Sequence, residues 1–125
     1  GERPGGGPWR IAVSHPRRDE WIGVVHLGSG QALGTSADTE RYFEHNGRRY
    51  SHLLNPATGY PPADLMSVTV IAPSALEADL YSTAVFVAEG LDRTGLIKRL
   101  GIEGVLVDGT AGISMTPGME AILKR

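Results

Sequence analysis

The chain has 125 residues, of which 41% are hydrophobic and 21% charged, a composition typical of one ordinary globular domain. Its net charge of −2 provides no bulk positive field, which argues against nucleic acid as a partner. The absence of cysteine excludes disulfides, thiolate metal sites and a cysteine nucleophile.

The first half of the chain predicts β-structure. Segments that alternate apolar with polar residues, or that are rich in β-branched residues, indicate strands. The main predicted strands are Trp9–Ser14, Trp21–Leu27, Gln31–Thr35, Arg48–Leu53 and Leu65–Ala72. Gly28–Gly30 predicts a tight turn between the second and third of these strands. Asn46-Gly47 predicts a hairpin between Arg41–Glu44 and Arg48–Leu53.

The second half changes to a helical period. Ser74–Ala88 carries apolar residues at helical spacing and contains no breaker, which predicts a helix. Ser74 followed by Glu77 is the pattern of a capping box at its start. A second helix is predicted over Thr94–Leu100, and short strands near the end of the chain predict a closing hairpin. We therefore expect an α+β domain in which the Ser74–Ala88 helix packs on a largely antiparallel sheet.

His52 lies at the end of a predicted strand, before Asn55–Pro62, a segment rich in proline and glycine. A histidine in this position is held in place yet accessible. Histidine is also the side chain that titrates near neutral pH, as a general base should. The alternative is structural: His52 pairs with a neighbouring strand and the loop is only a turn. The residues by themselves leave both interpretations open.

Three side chains with oxygen atoms share one face of the predicted helix. Asp79 and Thr83 are four residues apart, and Ser82 is three residues from Asp79. A carboxylate with hydroxyls offers the hard oxygen ligands that Mg²⁺ prefers and leaves positions for water and phosphate. The alternative is helix capping, because acids favour the first turn and Ser or Thr often bond back to the backbone.

A third group of polar residues follows a predicted strand. Thr35–Asp38, with Glu40 and Arg41 beyond, places hydroxyls and acids at the strand end. Contact with a ligand and an Asx-type turn explain this pattern equally well.

Taken in chain order, several segments resemble the carboxyl-terminal half of ApbE-type FAD:protein FMN transferases. The segments are Pro8–Val13, Leu33–Asp38, Arg41–Glu44, Tyr50–Pro61, Ser67–Pro73 and Ala78–Ala84. SHLLNPATGYP and EADLYSTA, in this order and at this spacing, are the most specific of them. The resemblance implies that residues 1–125 form the carboxyl-terminal half of such a domain, an ApbE/T-fold-like half. The amino-terminal half is missing from this sequence, so we expect either a fragment of a longer protein or one half of a protein split into two polypeptides.

The resemblance also implies a chemistry. It implies a Mg²⁺-dependent enzyme that binds FAD as a substrate and transfers FMN to a Thr or Ser hydroxyl of a target protein. His52 falls on the family's proposed base, and Leu54 falls on a flavin-contacting position in the same strand. Asp79 and Thr83 fall on metal ligands, and Ser82 falls on a position that supplies a ligand in some members. The missing half would supply further FAD contacts and another metal ligand, so we expect this half alone to be weak or inactive.

Two other functions are compatible with the same residues. An FAD pyrophosphatase would use water in place of the target hydroxyl and release FMN and AMP. A non-catalytic flavin-binding or assembly module would keep the fold without the chemistry. The intact His52 and Asp79 argue against such a module, while the missing half argues for it. The chain has no signal-peptide or transmembrane pattern. The resemblance implies a family whose members are often exported and membrane-tethered, and the sequence leaves the compartment open, the cytoplasm included.

Overall fold

The structure is a computed structural model that describes residues 1–125, with nine strands and three helices. In chain order the elements are β1 (Trp9–Ser14), β2 (Trp21–Leu27), β3 (Ala32–Ala37), β4 (Tyr42–His45), β5 (Arg48–Ser51), β6 (Leu65–Ala72), α1 (Ala75–Val87), α2 (Arg93–Arg99), β7 (Glu103–Asp108), β8 (Ile113–Met115), α3 (Pro117–Ile122) and β9 (Leu123–Lys124). Every helix is too short or too polar to cross a lipid bilayer. Each predicted strand and helix is present, with bounds that shift by a few residues at most.

The strands form three antiparallel sheets, where we expected one. The central sheet has the order β3-β6-β7-β8, a second sheet has the order β1-β2-β9, and β4 pairs only with β5. The predicted strand Arg48–Leu53 ends at Ser51 and belongs to the small hairpin. Strand propensity predicts that a segment is extended, but its partner depends on packing between segments distant in sequence. The expectation of a single sheet was therefore wrong, while the α+β class is confirmed.

The two turn predictions had opposite outcomes. Asn46 and Gly47 form the turn between β4 and β5 with φ angles of 50° and 73°, as a two-residue hairpin requires. Gly28–Gly30 does not close a hairpin, because β2 pairs with β1 and β9 whereas β3 pairs with β6. The chain instead passes from one sheet to the other at this turn.

The central sheet is covered on both faces. On one face, Val68 and Val70 of β6 belong to a core shared with Phe86 of α1. On the other face, Ile71 of β6 packs in a second core with Val25 of β2. A strand covered on both sides reads as a nearly continuous apolar run, which is the pattern of LMSVTVIA in β6.

Helix α1 lies directly against β3, an edge strand of the central sheet. Its first turn is held by Ser74, whose hydroxyl accepts from the Glu77 backbone N–H at 3.2 Å and donates to the Glu77 carboxylate at 2.6 Å. Gly34 of β3 permits the close approach, because a Cβ there would lie 2.5 Å from the Ala78 carbonyl oxygen. This contact sets Asp79, the next residue of α1, beside the end of β3.

Candidate functional site

A cavity of about 180 Å³ opens between the end of β3, the residues that flank the β4–β5 hairpin, and helix α1. The predicted base His52 and two of the predicted metal ligands, Asp79 and Thr83, line it together. The other lining residues are Thr35, Ser36, Ala37, Glu40, Arg41 and Leu53. Residues from three separate segments therefore meet at one cavity.

His52 follows β5 and is held by the residue that precedes β4. Its backbone N–H donates to the Arg41 carbonyl oxygen at 2.9 Å, and its ring Nδ1 lies 3.2 Å from the same oxygen. A carbonyl oxygen beside Nδ1 selects the tautomer in which Nδ1 carries the hydrogen and Nε2 has the lone pair. The side chain is exposed at the cavity. It therefore has the arrangement that a general base needs.

A network of three hydroxyls joins α1 to β3 beside Asp79. The Ser36 Oγ atom lies 3.0 Å from Ser82 Oγ and 3.1 Å from Thr83 Oγ1. Ser82 also donates to the Asp79 carbonyl oxygen at 3.0 Å, and it is 1% exposed. Ser82 is thus bonded to protein and does not line the cavity, while the side chains of Asp79 and Thr83 border it.

Asp79 and Thr83 offer an incomplete set of metal ligands. No group of three or more His, Asp or Glu side chains is arranged so that it could hold a metal ion without other ligands. One carboxylate and one hydroxyl fit Mg²⁺, which takes an octahedral shell and commonly keeps waters and phosphate oxygens in it. These two residues therefore fit the ion only with oxygen atoms that come from a substrate, water or another segment.

Leu54 lies in a loop because β5 ends at Ser51, whereas the resemblance implied a position in the same strand as His52. Leu53 lines the cavity, whereas Leu54, the next residue in the chain, does not line it and is 52% exposed. The following loop is held by Asn55, whose side-chain oxygen accepts from the Ala57 N–H at 2.9 Å. The Asn55 carbonyl accepts from the Gly59 N–H at 2.8 Å. The loop behind His52 is thus an ordered turn.

Two arginines near the cavity are paired with Asp38. Arg17 donates to both oxygens of Asp38 at 2.7 and 2.5 Å, and this hydrogen bonding raises the pKa of Arg17. Arg49 lies 3.9 Å from the same carboxylate. Arg41 lines the cavity and makes no ion pair.

The sequence had left the role of the polar residues around the end of β3 open. Only the fold assigns four of them to this cavity, namely Thr35, Ser36, Glu40 and Arg41.

The fold and the cavity define a class of protein, an α+β domain that presents a histidine, a carboxylate and hydroxyls suited to phosphoryl chemistry. The chain belongs to the ApbE family, whose family model matches residues 1–106. It is 36% identical over 121 residues to an FAD:protein FMN transferase of Rhodobacter capsulatus. It is 37% identical over 99 residues to an FAD:protein FMN transferase of Salmonella typhimurium. These matches cover 96% and 78% of this chain but only 23% and 28% of the relatives.

Solved structures agree with the family assignment. The ApbE protein of Thermotoga maritima superposes with a TM-score of 0.90 at 38% identity. The apo form of the Pseudomonas stutzeri flavinyl transferase ApbE superposes with a TM-score of 0.76 at 38% identity. Both matches cover 100% of this chain, and they cover 41% and 40% of the solved chains. The chain thus spans about a quarter of these curated relatives and about two fifths of these solved structures.

Proposed function

We propose that residues 1–125 are the carboxyl-terminal half of a Mg²⁺-dependent enzyme that transfers FMN from FAD to a Thr or Ser hydroxyl of a target protein. The observation that carries the proposal is the single cavity at which His52, Asp79 and Thr83 meet. The names of the relatives, which are FAD:protein FMN transferases, support the same reaction.

His52 is the proposed base. With its Nδ1 hydrogen directed at the Arg41 carbonyl, Nε2 accepts the proton of the acceptor hydroxyl as the hydroxyl oxygen attacks the phosphorus of the FMN moiety. The bond that forms joins this oxygen to phosphorus. The bond that breaks joins the same phosphorus to the bridging oxygen, which leaves with AMP.

Asp79 and Thr83 are the proposed ligands of Mg²⁺. When bound, the ion would neutralise charge on the pyrophosphate of FAD. Ser82, the further ligand that the resemblance implies, is buried and bonded to Ser36 and to the Asp79 carbonyl, so we propose that it positions Asp79 and does not bind the ion itself. The bond to Ser36 joins α1 to β3, and the bond to the Asp79 carbonyl holds the helical turn that presents the Asp79 carboxylate.

His52 and Leu54 are the proposed contacts of this half to FAD. Leu54 follows Leu53, which lines the cavity, and offers a half-exposed apolar side chain that suits the ring of a flavin. The other contacts are expected from the amino-terminal half, and for that reason the isolated chain should be weak or inactive.

A flavinylation assay tests the proposal. The chain is joined to an amino-terminal half, as in its relatives, and incubated with FAD, Mg²⁺ and an acceptor protein. FMN found on Thr or Ser by mass spectrometry, with an equal amount of AMP released, supports the transferase.

Other products of the same assay support the alternatives. Free FMN and AMP with an unmodified acceptor support the pyrophosphatase. Binding of FAD without any product supports a flavin-binding module. A protein that binds no FAD contradicts all three.

A further inference from the structure

The β4–β5 hairpin stands apart from both larger sheets, because its two strands pair only with each other. The residues at both ends of the hairpin line the cavity of the candidate site. Glu40 and Arg41, just before β4, line the cavity, and so do His52 and Leu53, just after β5. A molecule that lies along the hairpin would therefore bring one of its groups to the cavity.

The hairpin carries aromatic side chains that pack against no apolar core. Phe43 and Tyr50 stack with ring centroids 5.0 Å apart and an interplanar angle of 6°. Phe43 is 64% exposed and Tyr42 is 46% exposed. Large exposed aromatic residues beside arginine are the residue types that dominate protein–protein binding energy. Within residues 1–125 the stack is therefore an exposed apolar surface.

The hairpin and its two ends carry three arginines and two glutamates, so their net charge is positive by one. Arg48 lies over the Tyr50 ring at 5.1 Å and forms no salt bridge, whereas Arg49 is paired with Glu44 at 3.3 Å. Arg41, at the foot of the hairpin, also forms no salt bridge. Two unpaired cations flank the aromatic stack, so a partner with carboxylates would complement it.

Both strands of the hairpin are edge strands, since the sheet has only two strands. An edge strand presents backbone N–H and C=O groups that an extended segment can pair with. The geometry therefore favours an extended polypeptide over a small molecule as the occupant of the hairpin.

We infer that the β4–β5 hairpin docks the acceptor protein through an extended, acidic segment around the Thr or Ser that receives FMN. The inference rests on the proposed function, in which the acceptor must bring a hydroxyl to His52 at the end of the hairpin. A strand rises about 3.3 Å per residue, so a four-residue strand reaches about 13 Å from the cavity. The contacts to Phe43 and Arg48 thus fall within about four residues of the modified hydroxyl. Hydrolysis of FAD by water needs no such surface.

Kinetics of two hairpin variants test the inference in the enzyme completed with its amino-terminal half. Phe43→Ala and Arg48→Glu are each expected to raise the KM for the acceptor about tenfold or more, with little change in kcat or in FAD affinity. The Arg48→Glu effect should shrink at high salt, because screening weakens the attraction between exposed charges. Leu76→Ala and Arg99→Glu are the matched controls, since both residues are exposed and lie on helices outside the hairpin.

Direct binding separates this inference from the proposed reaction. The probe is a fluorescein-labelled peptide with one Thr flanked by Asp and Glu, and its control has Asn and Gln at the flanking positions. Fluorescence anisotropy should show that the acidic peptide binds about tenfold more tightly. Arg48→Glu should remove this difference, whereas Phe43→Ala should weaken binding of both peptides. This measurement needs neither FAD nor turnover, so it decides the inference even if no transfer is detected.

Three results would overturn the inference. The first is equal binding of the acidic peptide to the wild type and to both hairpin variants. The second is a loss of FAD affinity that matches the loss of acceptor affinity, which would assign the hairpin to the FAD site. The third is a lower melting temperature of the completed enzyme with unchanged peptide binding, which would mean that the amino-terminal half covers the hairpin.

Discussion

A single backbone carbonyl sets the chemistry available to His52. Because the Arg41 oxygen accepts from the His52 backbone N–H and also faces its ring Nδ1, the residue before β4 fixes both the position and the tautomer of the residue after β5. The β4–β5 hairpin thus brings Arg41 and His52 together, and the proposed base depends on this contact.

The first prediction concerns this base. In the completed enzyme, His52→Ala should lower the rate of FMN transfer on the order of 100-fold or more, because the acceptor hydroxyl loses its proton acceptor. FAD affinity should change much less than the transfer rate, because His52 is only one of several proposed FAD contacts. The control is His26→Ala, which removes an exposed histidine of β2. A transfer rate equal to that of the wild type would support the structural interpretation of His52.

The second prediction concerns Asp79. Asp79→Asn is nearly isosteric, so the fold should be retained while Mg²⁺-dependent transfer is abolished, because the carboxylate is the only charged ligand proposed in this half. The measurement is transfer rate across a Mg²⁺ titration. Glu120→Gln, at an acid of helix α3 that does not line the cavity, is the control. If Asp79→Asn saturates at the same Mg²⁺ concentration and rate as the wild type, Asp79 is only a helix acid.

At the scale of elements, the site depends on how closely α1 approaches the edge strand β3. Gly34 permits this approach, and the hydroxyls of Ser36, Ser82 and Thr83 then bond across it. The strand and the helix therefore act as one unit that presents the Asp79 carboxylate and the Thr83 hydroxyl.

The third prediction concerns this contact. Gly34→Ala should destabilise the fold by roughly 1–3 kcal/mol, because the added methyl meets backbone atoms that cannot rotate away. Urea denaturation measures the loss. Gly28→Ala is the control, since its Cβ would approach only the flexible Gln31 side chain, at 3.4 Å. A Gly34→Ala variant as stable as the wild type would show that α1 can shift without loss.

At the scale of the whole molecule, Arg93 connects three parts of the structure. Its guanidinium donates to Asp64, just before β6, at 2.6 and 2.9 Å, and to the Val85 carbonyl near the end of α1 at 3.0 Å. Arg93 itself is the first residue of α2. The Arg93 side chain thus connects α1 and α2 to the start of β6 in the central sheet.

The fourth prediction follows from this ion pair. Hydrogen bonding to Arg93 lowers the pKa of Asp64 below its value in the unfolded chain. The pair therefore stabilises the fold above the unfolded pKa, near pH 4, and this contribution is lost as pH falls through the lower folded pKa. Asp64→Asn should flatten the decrease of stability across that acidic window. Urea midpoints measured from neutral pH into the acid range test it, and identical slopes for both proteins would contradict it.

Local patterns in the sequence determined most of the elements. The capping box at Ser74, the two-residue turn at Asn46-Gly47 and the apolar run of β6 are each encoded within a few neighbouring residues. The structure confirms all three, because caps, turns and strand propensity depend on interactions that are short in sequence. The same local information predicted that Asp79 and Thr83 share a helical face.

The tertiary structure alone decided how these elements combine. It divided the predicted sheet into three sheets and ended β5 before Leu54. It also turned the Ser82 hydroxyl towards Ser36. Finally, it brought Glu40 and Arg41 to the same cavity as His52. Strand pairing and side-chain burial depend on contacts between residues far apart in the chain, and no local period encodes them. The sequence by itself therefore determined the family resemblance and the types of residue at the site, whereas packing between distant segments decided which of them meet.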